Sequence, residues 1–204
     1  MASFDLAIPI IFKHEGGYQA HPKDSGNWSS GKVGEGVLIG TKYGISAPTL
    51  ISWKGRMVTP EEMKNLAEEE AKRIFKVRYW DPLNLDKVKD QKVAELIFDA
   101  ADGSGVGLAK KHAVRALNNI GINVSEYSVD AINRANPVRL FNALKEVRIN
   151  FFKSIAANDP NKAVFLKGWL NRMAKYIYEN PGKSGMGLMV VFVLGALLFL
   201  IFFK

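Results

Sequence analysis

Apolar positions at the start of the chain recur with a helical period. Phe4, Ile8, Ile11 and Glu15 fall at i, i+4, i+7 and i+11, which is one face of a helix. Pro9 lies inside this pattern and is expected to kink the helix or delay its start, because it has no N–H to donate. Residues 16 to 48 lose the period. They are rich in Gly, Ser and Lys, with short β-branched runs such as "GVLIG", and read as loop plus a small hairpin or sheet. The helical period returns in "TPEEMKNLAEEEAKRIFKVRYW". There Thr59 is the expected N-cap, Pro60 the first helical residue and Glu62 the partner that closes a capping box. "DKVKDQKVAELIFDAADGSG" predicts a helix ended by Gly103, and "VGLAKKHAVRALNNIG" one ended by Gly121. Ser128 is placed to cap a short helix. "NPVRLFNALKEVRINFFKSIAA" and "DPNKAVFLKGWLNRMAKYIYENPG" each open with a cap residue followed by proline. The expected class is α+β, mainly α, with a small β region near the N-terminus.

The far end of the chain changes this picture. Met186 to Phe203 carries no charge and no strongly polar side chain. As a helix this stretch would be about 27 Å long, close to the thickness of a hydrocarbon core. One C-terminal transmembrane helix over residues 186–203 is therefore expected, joined by the linker "ENPGKSG". The N-terminus lacks a basic n-region and its apolar stretch is broken by Pro9, so it does not read as a signal peptide.

Composition narrows the chemistry. The 204 residues include no cysteine, which excludes a disulfide, a thiolate metal site and a thiol nucleophile. The formal net charge of +8 suits an anionic partner: nucleic acid, phospholipid headgroups or an acidic wall polymer. No zinc-finger, helix-turn-helix or phosphate-loop pattern accompanies it, so nucleic acid is not expected. His21 and His112 have no metal-like spacing, and His14 points about 100° away from Glu15 on a helix.

Two acids in "FKHEGGYQAHPKD" carry the candidate chemistry. Glu15 shares the inward face of the first helix and sits at its C-terminal end. Burial and the helix dipole would both favour its neutral form. A carboxyl that stays protonated near neutral pH can donate to a leaving glycosidic oxygen. Asp24 is the leading candidate for the second group, with Thr41 able to hold a water by its hydroxyl and Glu35 a rival acid. The structural alternative is a buried ion pair for Glu15 and a turn cap for Asp24. Tyr18 and Tyr43 flank these segments and could stack on sugars or serve in packing. Asp102 could face the cleft or simply close a helix, while Trp80, Trp169 and Phe165 are expected in the core.

"HEGGY" after an amphipathic helix, followed by an acid and "TKYGIS", resembles the family 108 glycoside hydrolases. "ELIFDAADGSGVGLAKKHAVRALNNIG" and "FLKGWLNRMAKY" are similar to that family's second half and last helix, so the resemblance spans about residues 3 to 180. It implies a lysozyme-like fold with a catalytic half at 1–93 and a helical peptidoglycan-binding half at 94–180, to which the apolar run adds a linker and membrane helix at 181–204. It implies Glu15, Asp24 and Thr41 as catalytic residues and no metal or cofactor, and beside these residues Tyr18 and Tyr43 are the expected substrate contacts. The implied activity is an N-acetylmuramidase cutting the β-1,4 bond between N-acetylmuramic acid and N-acetylglucosamine, in a phage endolysin for host cell lysis. The expected partners are peptidoglycan and a membrane. The expected place is the host inner membrane, with a monomeric head acting on periplasmic peptidoglycan. A virion-associated muramidase used at entry and a non-catalytic wall-binding protein are the alternatives. One departure from the family stands out. Eight residues separate Glu15 from Asp24, as in the family, but sixteen separate Asp24 from Thr41 where the family has five. Either the insertion loops out and leaves Thr41 in place, or the assisting residues have changed.

Overall fold

A computed structural model describes residues 1–12 and 17–178. The chain divides into two compact units, Met1–Phe151 and the part from Phe152 on.

The first unit is built of helices. Helix α1 spans Phe4–Phe12 and buries Phe4, Ala7, Ile8 and Ile11, the apolar face of the periodic pattern. Pro9 lies inside it and neither delays its start nor ends it. Helix α2 is Ala47–Lys54, stopped by Gly55 at φ 69°. The single helix expected after Thr59 is two: α3, Pro60–Lys64, and α4, Glu68–Phe75. The capping box forms as the sequence requires. Thr59 Oγ1 accepts from the Glu62 N–H at 3.1 Å, and the Glu62 carboxylate accepts from the Thr59 N–H at 2.8 Å. The break follows because Ala67 adopts an extended conformation at φ −72°, ψ 145° and restarts the chain as the cap of α4. A π-helical turn, Lys76–Trp80, continues α4.

Helix α5, Gln91–Ser104, is the centre of this unit. The Asp90 carboxylate caps it by accepting from the Val93 N–H at 2.9 Å. Every residue from Val93 to Ala101 is buried, so α5 is covered on all faces. An aromatic cluster packs on it. Phe98 meets Trp80 edge-on at 5.4 Å and Phe4 at 5.8 Å, and Trp80 meets Phe4 at 5.7 Å. A helix so enclosed must pair its polar side chains. Glu95 accepts from Lys92 at 2.9 Å, and Asp99 pairs with Arg148 at 2.8 Å with both side chains out of solvent. Gly103 stays inside α5, and Gly105 ends it at φ 83°, a conformation that favours glycine. Helix α6, Val106–Asn119, turns back and packs against α5. Helix α7, Val129–Arg134, is capped by Ser128, whose hydroxyl accepts from the Ala131 N–H at 3.2 Å. Helix α8, Pro137–Asn158, starts in this unit.

In the second unit the expected helix after Asp159 is again two: α9, Pro160–Ala163, and α10, Leu166–Lys175. Trp169 stacks on Phe152 at 5.2 Å and lies near Phe165 at 5.9 Å. Phe165 is 56% exposed and does not sit in the core as expected.

Two expectations are corrected. The small β region is not a sheet. Among the described residues there are only isolated antiparallel bridges, Gln19 with Thr41, Trp28 with Leu38 and Lys42 with Ile45. Left-handed backbone at Gly31, Gly34, Gly36, Gly40, Tyr43 and Gly44 turns the chain too often for a ladder to extend. The membrane helix and the inner-membrane location built on it are not supported either. Among the described residues no helix is long and apolar enough to cross a membrane, and residues 186–203 lie outside the described residues.

Candidate active site

Residues 17–46 are crossed by a network of polar side chains. Gln19 and Thr41 form one bridge, each N–H donating to the other's carbonyl at 2.9 and 2.8 Å. Asn27 is completely buried beside it. Its backbone carbonyl accepts from the N–H groups of Ile39 and Gly40 at 2.8 and 3.0 Å. These contacts fix residues 39–41 against residues 19–27.

The side chains complete the connection. Asp24 Oδ1 accepts from the Gly26 N–H at 2.9 Å, and Oδ2 accepts from Gln19 Nε2 at 3.0 Å. Gln19 Nε2 also donates to Asn27 Oδ1 at 3.1 Å, and Thr41 Oγ1 donates to that same oxygen at 2.6 Å. Asn27 Nδ2 donates to Gln19 Oε1 at 2.8 Å and to the His21 carbonyl at 3.0 Å. The direction of these bonds is set by backbone groups. The His21 N–H donates to Gln19 Oε1 at 2.9 Å, so Nε2 must face Asp24. The His21 carbonyl can only accept, so Nδ2 of Asn27 must face it. Thr41 has one hydroxyl hydrogen, which goes to Asn27, and its oxygen keeps lone pairs that can accept from water. Each Asp24 oxygen likewise keeps acceptor capacity.

Asp24 and Thr41 thus belong to one network, with Gln19 and Asn27 between them. The sixteen intervening residues leave at Trp28 and return at Leu38, where a bridge closes the loop. Glu35 is on that loop, exposed, and faces Lys32 at 3.4 Å. It has no bond to the network. Asp24 also caps the short 3-10 turn Ser25–Asn27, so the turn-cap role and membership of the network are combined in one side chain. Glu15 lies outside the described residues.

The tyrosines serve as supports. Tyr18 donates its hydroxyl to the Ile39 carbonyl at 3.1 Å. Its ring lies so close to Gly40 that a Cβ there, at φ 96°, would come within 2.5 Å of Cε2. Tyr43, at φ 52°, stacks on Phe12 at 5.6 Å and 22°. Each ring carries a cation: Lys64 Nζ is 5.5 Å from the Tyr18 centroid and Lys42 Nζ is 5.0 Å from that of Tyr43. Lys42 Nζ also donates to the Lys64 carbonyl at 2.5 Å, which ties the site to the end of α3. Burial raises the Tyr79 pKa, and the Asp102 charge adds to this. Asp102, half-buried near the end of α5, is thus close enough to Tyr79 for its charge to be felt there.

Sequence reasoning missed Gln19 and Asn27. Both are amides in a loop, and only the non-local pairing of Gln19 with Thr41 reveals their use. The nearest signal was "DSGN", where an acid two residues before a glycine commonly folds as a side-chain-capped turn.

Two family models match adjacent segments of the chain. Glycosyl hydrolase 108 matches residues 8–105, and the Predicted Peptidoglycan domain matches residues 106–174. Residues 8–105, just under half of the chain, belong to the glycosyl hydrolase 108 family. The protein is a glycoside hydrolase acting on peptidoglycan. The boundary between the two matches falls at Gly105, yet α5 and α6 on either side pack together. The solved structure of Brucella abortus SagA is similar, with a TM-score of 0.67 and 28% identity over 85% of this chain and 90% of that chain. Among curated proteins none matches.

Proposed function

We propose that the protein is an N-acetylmuramidase that hydrolyses the β-1,4 bond between N-acetylmuramic acid and N-acetylglucosamine. Glu15 gives its proton to the glycosidic oxygen as the bond to C1 breaks. Asp24 stabilises the positive charge that develops on the muramic acid ring and helps orient the water. Thr41 accepts a hydrogen bond from that water, whose oxygen bonds to C1. One hydrogen of the water stays on the new C1 hydroxyl and the other passes to the Asp24 carboxylate, and exchange with solvent returns a proton to Glu15. The observation that carries this reading is the hydrogen-bonded line Asp24–Gln19–Asn27–Thr41, which keeps the two assisting residues in one unit across an insertion. The family resemblance of "HEGGY" and "TKYGIS" supports an endolysin role in host lysis.

The test is product analysis. Purified full-length protein is incubated with isolated peptidoglycan, and the products are reduced with borohydride and weighed by mass spectrometry. Reduced muramic acid at the new ends is expected. Reduced glucosamine ends would move the cut to the other glycosidic bond. Anhydro-muramic acid ends would replace hydrolysis by intramolecular transfer.

A further inference from the structure

The segment matched by the peptidoglycan domain carries a pocket of about 530 Å³ that no family description assigns. Its size is that of an ordinary small-ligand site. One side is a face of α6, with Lys110, Lys111, Arg115 and Asn118. The opposite wall holds Glu126 and Tyr127. Among the described residues none of the three cations forms an ion pair. Three cations share this hollow with a single acid, Glu126, so it carries an excess of positive charge that an anionic occupant would relieve.

The walls are fixed before any ligand arrives. Asn118 Nδ2 donates to the Val124 carbonyl at 3.1 Å, and Asn118 Oδ1 accepts from the Val124 N–H at 2.8 Å. This double bond pins the segment leading into Glu126. Tyr127 donates its hydroxyl to the Leu83 carbonyl at 2.7 Å, so its ring is anchored. Lys110 Nζ lies 5.8 Å from that ring's centroid. A preformed wall reduces the ordering cost of binding.

We propose that this pocket binds the peptide stem of peptidoglycan, with Lys110, Lys111 and Arg115 holding its carboxylates and Glu126 its free ammonium group. The inference rests on peptidoglycan being the substrate. Within that polymer the glycan repeat is neutral once the lactyl group is amide-linked, so three cations find no partner on it. The charge sits on the stems, which carry several carboxylates and, on the diamino acid, an amine. A phosphodiester polymer would satisfy the cations but would be repelled by Glu126. The combination of three positive groups and one negative group matches a zwitterionic peptide.

Binding and cleavage are measured separately on the full chain. The ligands are soluble peptidoglycan fragments with stems, peptide-free glycan strands, and a teichoic acid as the phosphodiester control. The variant is Lys110→Gln/Lys111→Gln/Arg115→Gln, checked for folding by thermal melting. Partly exposed ion pairs each contribute a few-fold, so about tenfold weaker binding to stem-bearing fragments is expected. Binding to peptide-free strands should not change. Glu126→Gln should weaken binding about two- to threefold, and acetylating the fragment amines should erase that difference. Unchanged binding of the triple variant to stem-bearing fragments overturns the proposal, as does an equal loss on peptide-free strands. Tighter binding of teichoic acid than of the fragments also overturns it. Cleavage of peptide-free strands, read by new reducing ends, reports on the muramidase reading alone, so failure of one is distinguishable from failure of the other.

Discussion

Replacing Asn27 with alanine tests whether the network does more than hold a loop. Asn27 is fully buried and its side chain makes four hydrogen bonds, two donated and two accepted. A net value of about 1 kcal/mol per bond sets an upper figure near ~4 kcal/mol. Gln19 and His21 are exposed, and water can replace part of their loss. A destabilisation of about 2–3 kcal/mol is therefore expected. For a chain of this length that lowers Tm by roughly 5–10 °C. The consequence for catalysis is separate. Without Asn27 the Thr41 hydroxyl loses its acceptor, and Gln19 loses the partner that aims Nε2 at Asp24. Displacements of about 1 Å in positioning groups cost up to ~100-fold, so a turnover loss of about ten- to a hundredfold is expected at a temperature where the variant is folded. Urea melts and release of reducing ends from peptidoglycan would measure the two effects. Asn27→Asp provides a sharper arm. It keeps the shape but sets a carboxylate oxygen against Gln19 Oε1 and the His21 carbonyl, and should be less stable than Asn27→Ala at neutral pH. A folded Asn27→Ala protein that melts earlier but turns over within about twofold of the parent would show that the network braces the loop and does not position Asp24 or Thr41.

Glu15→Gln should lower turnover about 100-fold or more without lowering Tm, since the amide keeps the shape but has no proton to donate; retention of a third of the activity sinks the assignment. Asp24→Asn should cost more than Thr41→Ala, because one amide oxygen cannot accept from both Gly26 and Gln19, while Glu35→Gln should stay within about twofold; the reverse order would make Glu35 the second acid. Arg148→Met should destabilise by about 3–5 kcal/mol in urea melts by leaving Asp99 buried without its cation, and adding Asp99→Leu should recover part of that loss. Burial, aided by the Arg148 and Arg115 charges, pushes the His112 pKa down from 6.5 to about 4. The unfolded chain therefore takes up this proton at a higher pH than the folded one. Stability should be level above about pH 6.5 and fall below it at about 1.4 kcal/mol per unit until about pH 4, a slope that His112→Gln should remove.

The helices were legible where a local side-chain bond marks the boundary. Thr59 and Glu62, and Ser128, cap as their spacing requires because both partners lie within one turn. Boundaries set by tertiary packing were not. Leu66 is buried just where the expected long helix breaks, and Gly103 continues a helix that Gly105 ends two residues later. Glycine permits a left-handed exit but does not compel it, so which of two glycines is used depends on what packs around them. The β region was misread for a related reason. Val37, Leu38 and Ile39 have strand-like side chains, but the glycines around them sit at left-handed angles and Ser29 takes the Val37 N–H on its hydroxyl at 2.9 Å.

The long gap between Asp24 and Thr41 looked like a fault in the site when judged by spacing alone. The physical cost of such a gap is small. Closing a loop of sixteen residues in place of the family's five adds only about 1 kcal/mol, because closure entropy grows with the logarithm of length. The loop offsets this with its own bonds: Ser29 N–H to the Val37 carbonyl at 2.9 Å, and Ser30 Oγ to the Glu35 carbonyl at 2.8 Å. What must be kept is the pairing at its base. There the Asn27 carbonyl grips two N–H groups of the returning strand-like segment, and its side chain takes the Thr41 hydroxyl. Sequence distance between two site residues is therefore a weak constraint when a buried amide joins the chain on both sides of the loop. A residue such as Asn27, which need touch no substrate, is then the position at which a change in the loop would be felt by the chemistry.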